Sequence, residues 1–174
     1  MNDLQAYVTE IPDFPKEGVL FRDITTVVED PDGFRLAVDG LIGLLEGVEF
    51  DVVAGSESRG FIFGAPVAYA MGKGFALARK KGKLPRETLE EEYDLEYGTA
   101  CIEMHVDSIK KGQRVVIIDD LIATGGTTAA MVKIIERLGG EVVKICFVLE
   151  LKGLDGRKAL PGYDIESLIE YEGS

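Results

Sequence analysis

The chain has 174 residues, 46% of them apolar and 29% charged, the balance of an ordinary globular domain with a sizeable core. Its net charge of −12 weighs against duplex nucleic acid as a partner, because phosphate contacts dominate that binding. No apolar run reaches membrane-spanning length, and MNDLQAYVTEIPDFP carries acids where a secretory signal carries a basic region.

From the N-terminus, residues 3–26 contain the proline-punctuated IPDFPKEGVLFRDIT, expected to form a small hood (about residues 1–30) that wraps a sheet rather than joining it. GFRLAVDGLIGLLEG places Phe34, Ala37, Val38, Leu41, Leu44 and Leu45 at helical spacing, with Asp30 and Pro31 as its start and Gly47 as its stop. FDVVAG reads as a short buried strand, SESRGFIFGAPVAYAMG as a turn into a mostly buried helix, and FALAR as another strand. Residues 80–98, KKGKLPRETLEEEYDLEYG, show no clean apolar period. So long a connection is expected to be a flexible loop, a lid or a binding segment. ACIEMHV alternates as a half-buried strand with the single histidine, His105, on its more polar face. RVVIID is apolar throughout, as a parallel strand covered on both faces would be. Met131, Ile134, Ile135 and Leu138 mark a helix ended by Gly139-Gly140, EVVKICFVL returns as a strand, and the C-terminal tail is helix-like.

Strands alternating with helices predict one α/β domain over residues 1–174, a mainly parallel sheet flanked by helices. One histidine and no close cysteine pair argue against a zinc site or a histidine-based triad, so His105 is expected to be structural. Two thiols, Cys101 and Cys146, suit a reducing, cytoplasmic setting without a disulfide framework.

The chemistry gathers in VVIIDDLIATGGTTAAM. Gly125 and Gly126 allow a tight turn and close backbone approach. The N–H groups opening the next helix favour a phosphate, and Thr124, Thr127 and Thr128 add hydroxyl donors. There is no Walker pattern and no G-x-G-x-x-G, so a terminal phosphate monoester fits better than a triphosphate. Asp119 and Asp120 would repel that phosphate unless they bind something else, such as vicinal hydroxyls or a metal ion. A ribose 5-phosphate offers the diol and the phosphate together.

That stretch resembles the ribose-phosphate signature of the type I phosphoribosyltransferases, which use 5-phosphoribosyl 1-pyrophosphate (PRPP). IPDFPKEGVLFRDIT, GSESRGFIFGAP, ARKKGKLP and DLEYG resemble, in this order and spacing, the adenine-using members of that family over nearly the whole chain. The resemblance implies transfer of the phosphoribosyl group to adenine, Mg²⁺ accompanying PRPP without a direct protein site, and a homodimer. It assigns the diol to Asp119 and Asp120 and the 5-phosphate to Ala123, Thr124, Gly125, Gly126 and Thr127. It puts pyrophosphate on Arg59, Arg79 and Lys83, includes Tyr97 in the PRPP site, and gives the purine proton to Glu96. The base is expected between Phe21 and Leu121, with main-chain groups of Leu20 to Arg22 reading its edge.

Each assignment has a plainer rival. Arg59 could pair with Glu57, Phe21 could be core, and Arg22 could brace Asp23. Arg79, Lys80, Lys81, Lys83 and Arg86 could be solvated surface, and Glu90, Glu91 and Glu92 compete with Glu96. A transferase for another purine and a PRPP-binding regulator partnered with nucleic acid also stand as alternatives. FRDIT and LEYG weigh against the first. Net charge and the lack of spare length weigh against the second.

Overall fold

The computed structural model describes residues 3–95 and 97–173. A two-stranded antiparallel sheet of β1 (Thr9–Pro12) and β2 (Leu20–Asp23) stands apart from a seven-stranded sheet, as the proline punctuation predicts. The large sheet contains β3 (Val52–Ser56), β4 (Gly74–Lys80), β5 (Thr88–Asp94), β6 (Thr99–His105), β7 (Arg114–Ile122), β8 (Glu141–Leu151) and β9 (Ile165–Tyr171). Their order is β5-β6-β4-β3-β7-β8-β9. From β4 to β9 the pairs are parallel, while β6 runs antiparallel to both β4 and β5.

β7 lies inside the sheet and divides the core. Val115 and Ile117 face one apolar cluster, Val116 and Ile118 the other, and all four are fully buried. The first cluster packs under α4 (Gly126–Arg137) through Met131, Ile134 and Ile135. The second lies under α1 (Thr25–Glu29), α2 (Pro31–Leu44) and α3 (Arg59–Ala70), through Val27, Ala37, Leu41 and Phe63. α2 starts where the sequence predicts: Asp30 accepts from the N–H groups of Asp32 and Gly33, and Pro31 occupies the first turn. Among the described residues no helix is long and apolar enough to cross a membrane.

Two expectations are corrected. The connection over 80–98 contains an edge strand, β5, paired along its length with β6. Its inward positions are Leu89, Glu91 and Tyr93, so the two-residue period exists but its middle member is charged. Glu91 is accepted there because Lys133 and Arg137 of α4 lie 3.3 and 3.2 Å from its carboxylate. The C-terminal tail is the strand β9, not a helix. Ile165 and Ile169 stand at helical spacing, yet both are buried in register with Ile145 and Leu149 of β8. Available strand pairing overrides a short local pattern.

The hood is tied down by its second strand. Arg22 lies 3.4 Å from Glu10 and stacks over the ring of Tyr171 at 4.5 Å, while Asp23 accepts from the hydroxyl and N–H of Thr25. Arg22 thus braces the segment through Glu10 and β9, with Asp23 engaged elsewhere.

Candidate active site

The parallel strands β3, β4 and β7 all end on one side of the sheet, where open α/β folds collect ligands. A cavity of about 410 Å³ opens there. Of the residues expected from sequence, Arg59, Asp119, Asp120, Leu121 and the run Ala123–Thr127 line it. Lys80, Ser56, Glu57, Tyr93, Ile102 and Thr128 line it as well.

The turn of residues 123–127 has the backbone its glycines call for. Gly125 adopts φ +79°, the left-handed conformation that favours glycine. α4 starts with the bond from Ala129 N–H to the Gly125 carbonyl, so the N–H groups of residues 126–128 precede it without intrahelical acceptors. Those donors and the helix dipole favour negative charge at the cavity wall. The turn itself depends on a missing side chain: a Cβ at Gly125 would lie 2.4 Å from the Gly156 carbonyl oxygen.

The acid pair is nearly sealed, with Asp119 6% and Asp120 7% exposed. Asp119 accepts from the Ser56 hydroxyl at 2.6 Å and from the Asp120 N–H at 2.9 Å. Arg59 donates from Nε to Asp120 at 2.5 Å. Arg59 therefore pairs across 61 residues with Asp120, not with its neighbour Glu57. Burial pushes the Asp119 carboxyl well above the usual range, and the neighbouring Asp120 adds to the rise. α3 closes onto the pair so tightly that a Cβ at Gly60 would meet Asp119 Oδ1 at 2.6 Å. The Glu57–Ser58 peptide, which opens this turn, is cis.

The basic cluster divides. Arg79 is held by Glu57 at 3.2 Å, Lys81 by Glu90 at 2.9 Å and Arg86 by Asp107 at 2.9 Å. Lys80, weighted less from sequence than Arg79 and Lys83, is the member whose residue lines the cavity. Arg79 and Lys83 stand just outside, with Arg79 donating to the Lys83 carbonyl at 3.5 Å.

Of the residues expected to hold a base, Leu121 lines this cavity and Leu20, Phe21 and Arg22 do not. Phe21 packs edge-on against Phe14 with ring centroids 5.2 Å apart, and Leu20 and Arg22 flank it in β2. Tyr97 is 83% exposed. Glu96 lies outside the described residues. His105 accepts weakly from the Arg86 N–H at 3.3 Å at the end of β6, a structural position. Among the described residues no cluster of three His, Cys, Asp or Glu side chains could hold a metal ion. Sequence reasoning passed over Ser56 and Tyr93. The signal for Ser56 was a lone hydroxyl closing the apolar run VVAGS; for Tyr93, an aromatic at an inward position of β5.

Comparison with known proteins bears on this geometry. A family model described as the phosphoribosyl transferase domain matches residues 38–169. An adenine phosphoribosyltransferase of Lachnoclostridium phytofermentans is 62% identical over 173 residues, 99% of each chain. The crystal structure of the adenine phosphoribosyltransferase of Thermoanaerobacter pseudethanolicus superposes with a TM-score of 0.93 at 54% identity, covering 97% of this chain and 98% of that one. That of Saccharomyces cerevisiae, complexed with an imino-altritol bisphosphate and adenine, gives 0.89 at 38% identity over 95% and 96%.

Proposed function

We infer the division of labour in this site from one premise: the chain belongs to the adenine phosphoribosyltransferases of the phosphoribosyl transferase family. It transfers the 5-phosphoribosyl group of PRPP to adenine, giving AMP and pyrophosphate, a purine-salvage reaction. The observation that carries the residue-level reading is one cavity in which a buried acid pair adjoins a helix-capping glycine turn.

Asp119 and Asp120 accept hydrogen bonds from the ribose 2- and 3-hydroxyls, and residues Ala123–Thr127 hold the 5-phosphate. Mg²⁺ would be carried by PRPP rather than by a dedicated protein site. The two carboxylates at the cavity wall fit such an ion, which typically takes one or two carboxylates beside substrate phosphates. The ion would offset leaving-group charge. Arg59, Lys80, Arg79 and Lys83 surround the pyrophosphate end, where preorganised cations favour the transition state as charge develops on the leaving oxygen. Tyr97 completes the PRPP site. Adenine lies between Phe21 and Leu121, read by main-chain groups of Leu20 to Arg22. Closure of the loop that carries Glu96 over the base would exclude water from an oxocarbenium-like centre. As the purine nitrogen bonds to the anomeric carbon and pyrophosphate leaves, Glu96 takes the purine proton.

Asp119→Asn and Asp120→Asn are each expected to raise KM for PRPP about 10- to 100-fold, the worth of a charge-assisted hydrogen bond, with KM for adenine little changed. Initial rates at saturating adenine measure this. Wild-type KM for PRPP in both variants would remove the carboxylates from the ribose.

A homodimer is supported by the outer face of α3. Ile62, Ala65, Tyr69 and Ala70 are exposed there, Tyr69 at 90%, and the exposed Leu77 of β4 is a further apolar side chain. A helix apolar on both faces calls for a second partner. The wild type is expected at about twice 18.9 kDa by light scattering, and Ile62→Glu with Tyr69→Glu at the monomer mass. A monomeric wild type would sink the idea. Free Cys101 and Cys146, with burial pushing the Cys146 thiol up to about 12, support a reducing, cytoplasmic setting.

A further inference from the structure

β6 carries a carboxylate with no part in the chemistry above. Glu103 is 4% exposed, in an edge region where its neighbours Cys101 and His105 are partly open. Its Oε1 accepts from the N–H groups of Lys83 at 3.1 Å and Leu84 at 2.9 Å, and its Oε2 from the Thr88 hydroxyl at 3.3 Å. Burial alone would raise this carboxyl. The bonds from Leu84, Gly82, Thr88 and Lys83 outweigh it and hold the carboxyl below its ordinary value, so the group stays ionised. A buried charge so fully satisfied fixes whatever donates to it.

The donors belong to the basic turn. Lys83 N–H is shared between Glu103 and the Lys80 carbonyl at 3.2 Å, and Gly82 at φ +84° completes the reversal. The root of the turn is held by a second carboxylate: Glu57 accepts from the Lys80 N–H at 2.7 Å and from Arg79. Of the five cations in the cluster, Lys80 and Lys83 alone lack an ion-pair partner among the described residues. They stand at the two ends of the clamped turn. Two carboxylates are thus used on backbone N–H groups, leaving two lysine side chains uncommitted beside the cavity.

We propose that Glu103 is a positioning residue: it holds the Lys80–Lys83 turn in the shape that receives the pyrophosphate end of PRPP. This rests on the assignment of that turn to the leaving group. Glu103 touches no reacting atom and acts through the backbone of Lys83 and Leu84.

The test uses the full chain, with pyrophosphate as a product inhibitor against PRPP. Glu103→Ala is expected to raise the inhibition constant of pyrophosphate and KM for PRPP together, about 5- to 20-fold, with KM for adenine unchanged. Glu103→Gln, whose amide oxygen can still accept from Lys83 and Leu84 while its NH₂ faces Thr88, is expected to restore both to within about 2-fold. A purely structural role predicts a lower Tm with unaltered pyrophosphate inhibition, and that result overturns the proposal. Should Glu103→Ala not fold, Thr88→Val removes one bond to the carboxylate. A rise of about 2-fold in both constants then supports the proposal, and no change overturns it. Lys80→Ala and Lys83→Ala separate the two layers. If they weaken pyrophosphate inhibition and Glu103→Ala does not, this proposal alone fails. If neither lysine variant does, the turn's assignment fails first and takes the proposal with it.

Discussion

Replacing Gly125 with alanine is expected to lower kcat/KM for PRPP about 10³-fold, or roughly 4 kcal/mol of transition-state stabilisation, in a protein that still folds. Two costs combine. At φ +79° an L-residue pays roughly 1–2 kcal/mol for the left-handed conformation. The new Cβ also meets the Gly156 carbonyl oxygen at 2.4 Å and the Ala159 Cβ at 3.1 Å, and a carbonyl in the backbone has little freedom to yield. The reciprocal contact is as tight, since a Cβ at Gly156 would lie 2.4 Å from the Ala123 carbonyl oxygen. The phosphate loop and the 3-10 turn Gly156–Ala159 are therefore interlocked backbones. Arg157, in that turn, is anchored by two bonds to the buried Glu150 at 2.8 and 2.6 Å, so the turn holds its place; the loop shifts and its N–H groups lose their aim. Kinetics and a melting curve on the same preparation check this. Wild-type KM for PRPP in Gly125→Ala would show that the loop tolerates the displacement.

Glu96→Gln is expected to lower kcat by about 10² to 10⁴ while leaving KM for PRPP near wild type, the pattern of an interaction made only in the transition state. Glutamine keeps the size and hydrogen-bonding reach of the side chain but cannot accept the purine proton. The structure bears on the rivals. Glu90 is engaged by Lys81 at 2.9 Å, and Glu91 by Lys133 and Arg137 on the flank of α4. Glu92 is exposed on the outer face of β5, opposite Cys101. Glu90→Gln, Glu91→Gln and Glu92→Gln should each retain turnover within about 3-fold, the small effect usual for surface changes. Undiminished kcat in Glu96→Gln would move the proton to another group.

Much of this arrangement is legible in the sequence. The runs VVAGS and RVVIID and the spacing Met131, Ile134, Ile135 announced the parallel centre and its covering helix, because burial on two faces leaves a strong pattern. What stayed hidden was whatever depended on a distant partner. β5 was obscured by Glu91, an acid at an inward position that only α4 makes acceptable. β9 was obscured by two isoleucines whose spacing suits a helix and whose pairing suits a strand. At the site, the acid pair and glycine turn declared themselves as contiguous residues. The Asp120–Arg59 and Asp119–Ser56 contacts, 61 and 63 residues apart, did not, because they arise only when β3 and β7 lie side by side.

That adjacency has a metric consequence. β4, β3 and β7 are successive neighbours in the sheet, and strands sit about 4.8 Å apart. Their carboxyl ends are thus graduations on a ruler roughly 10 Å long, with Lys80 at one mark, Arg59 just past the next and the acid pair at the third. A ligand that must touch all three is gauged by hydrogen-bond spacing in the backbone, which no side-chain substitution can stretch.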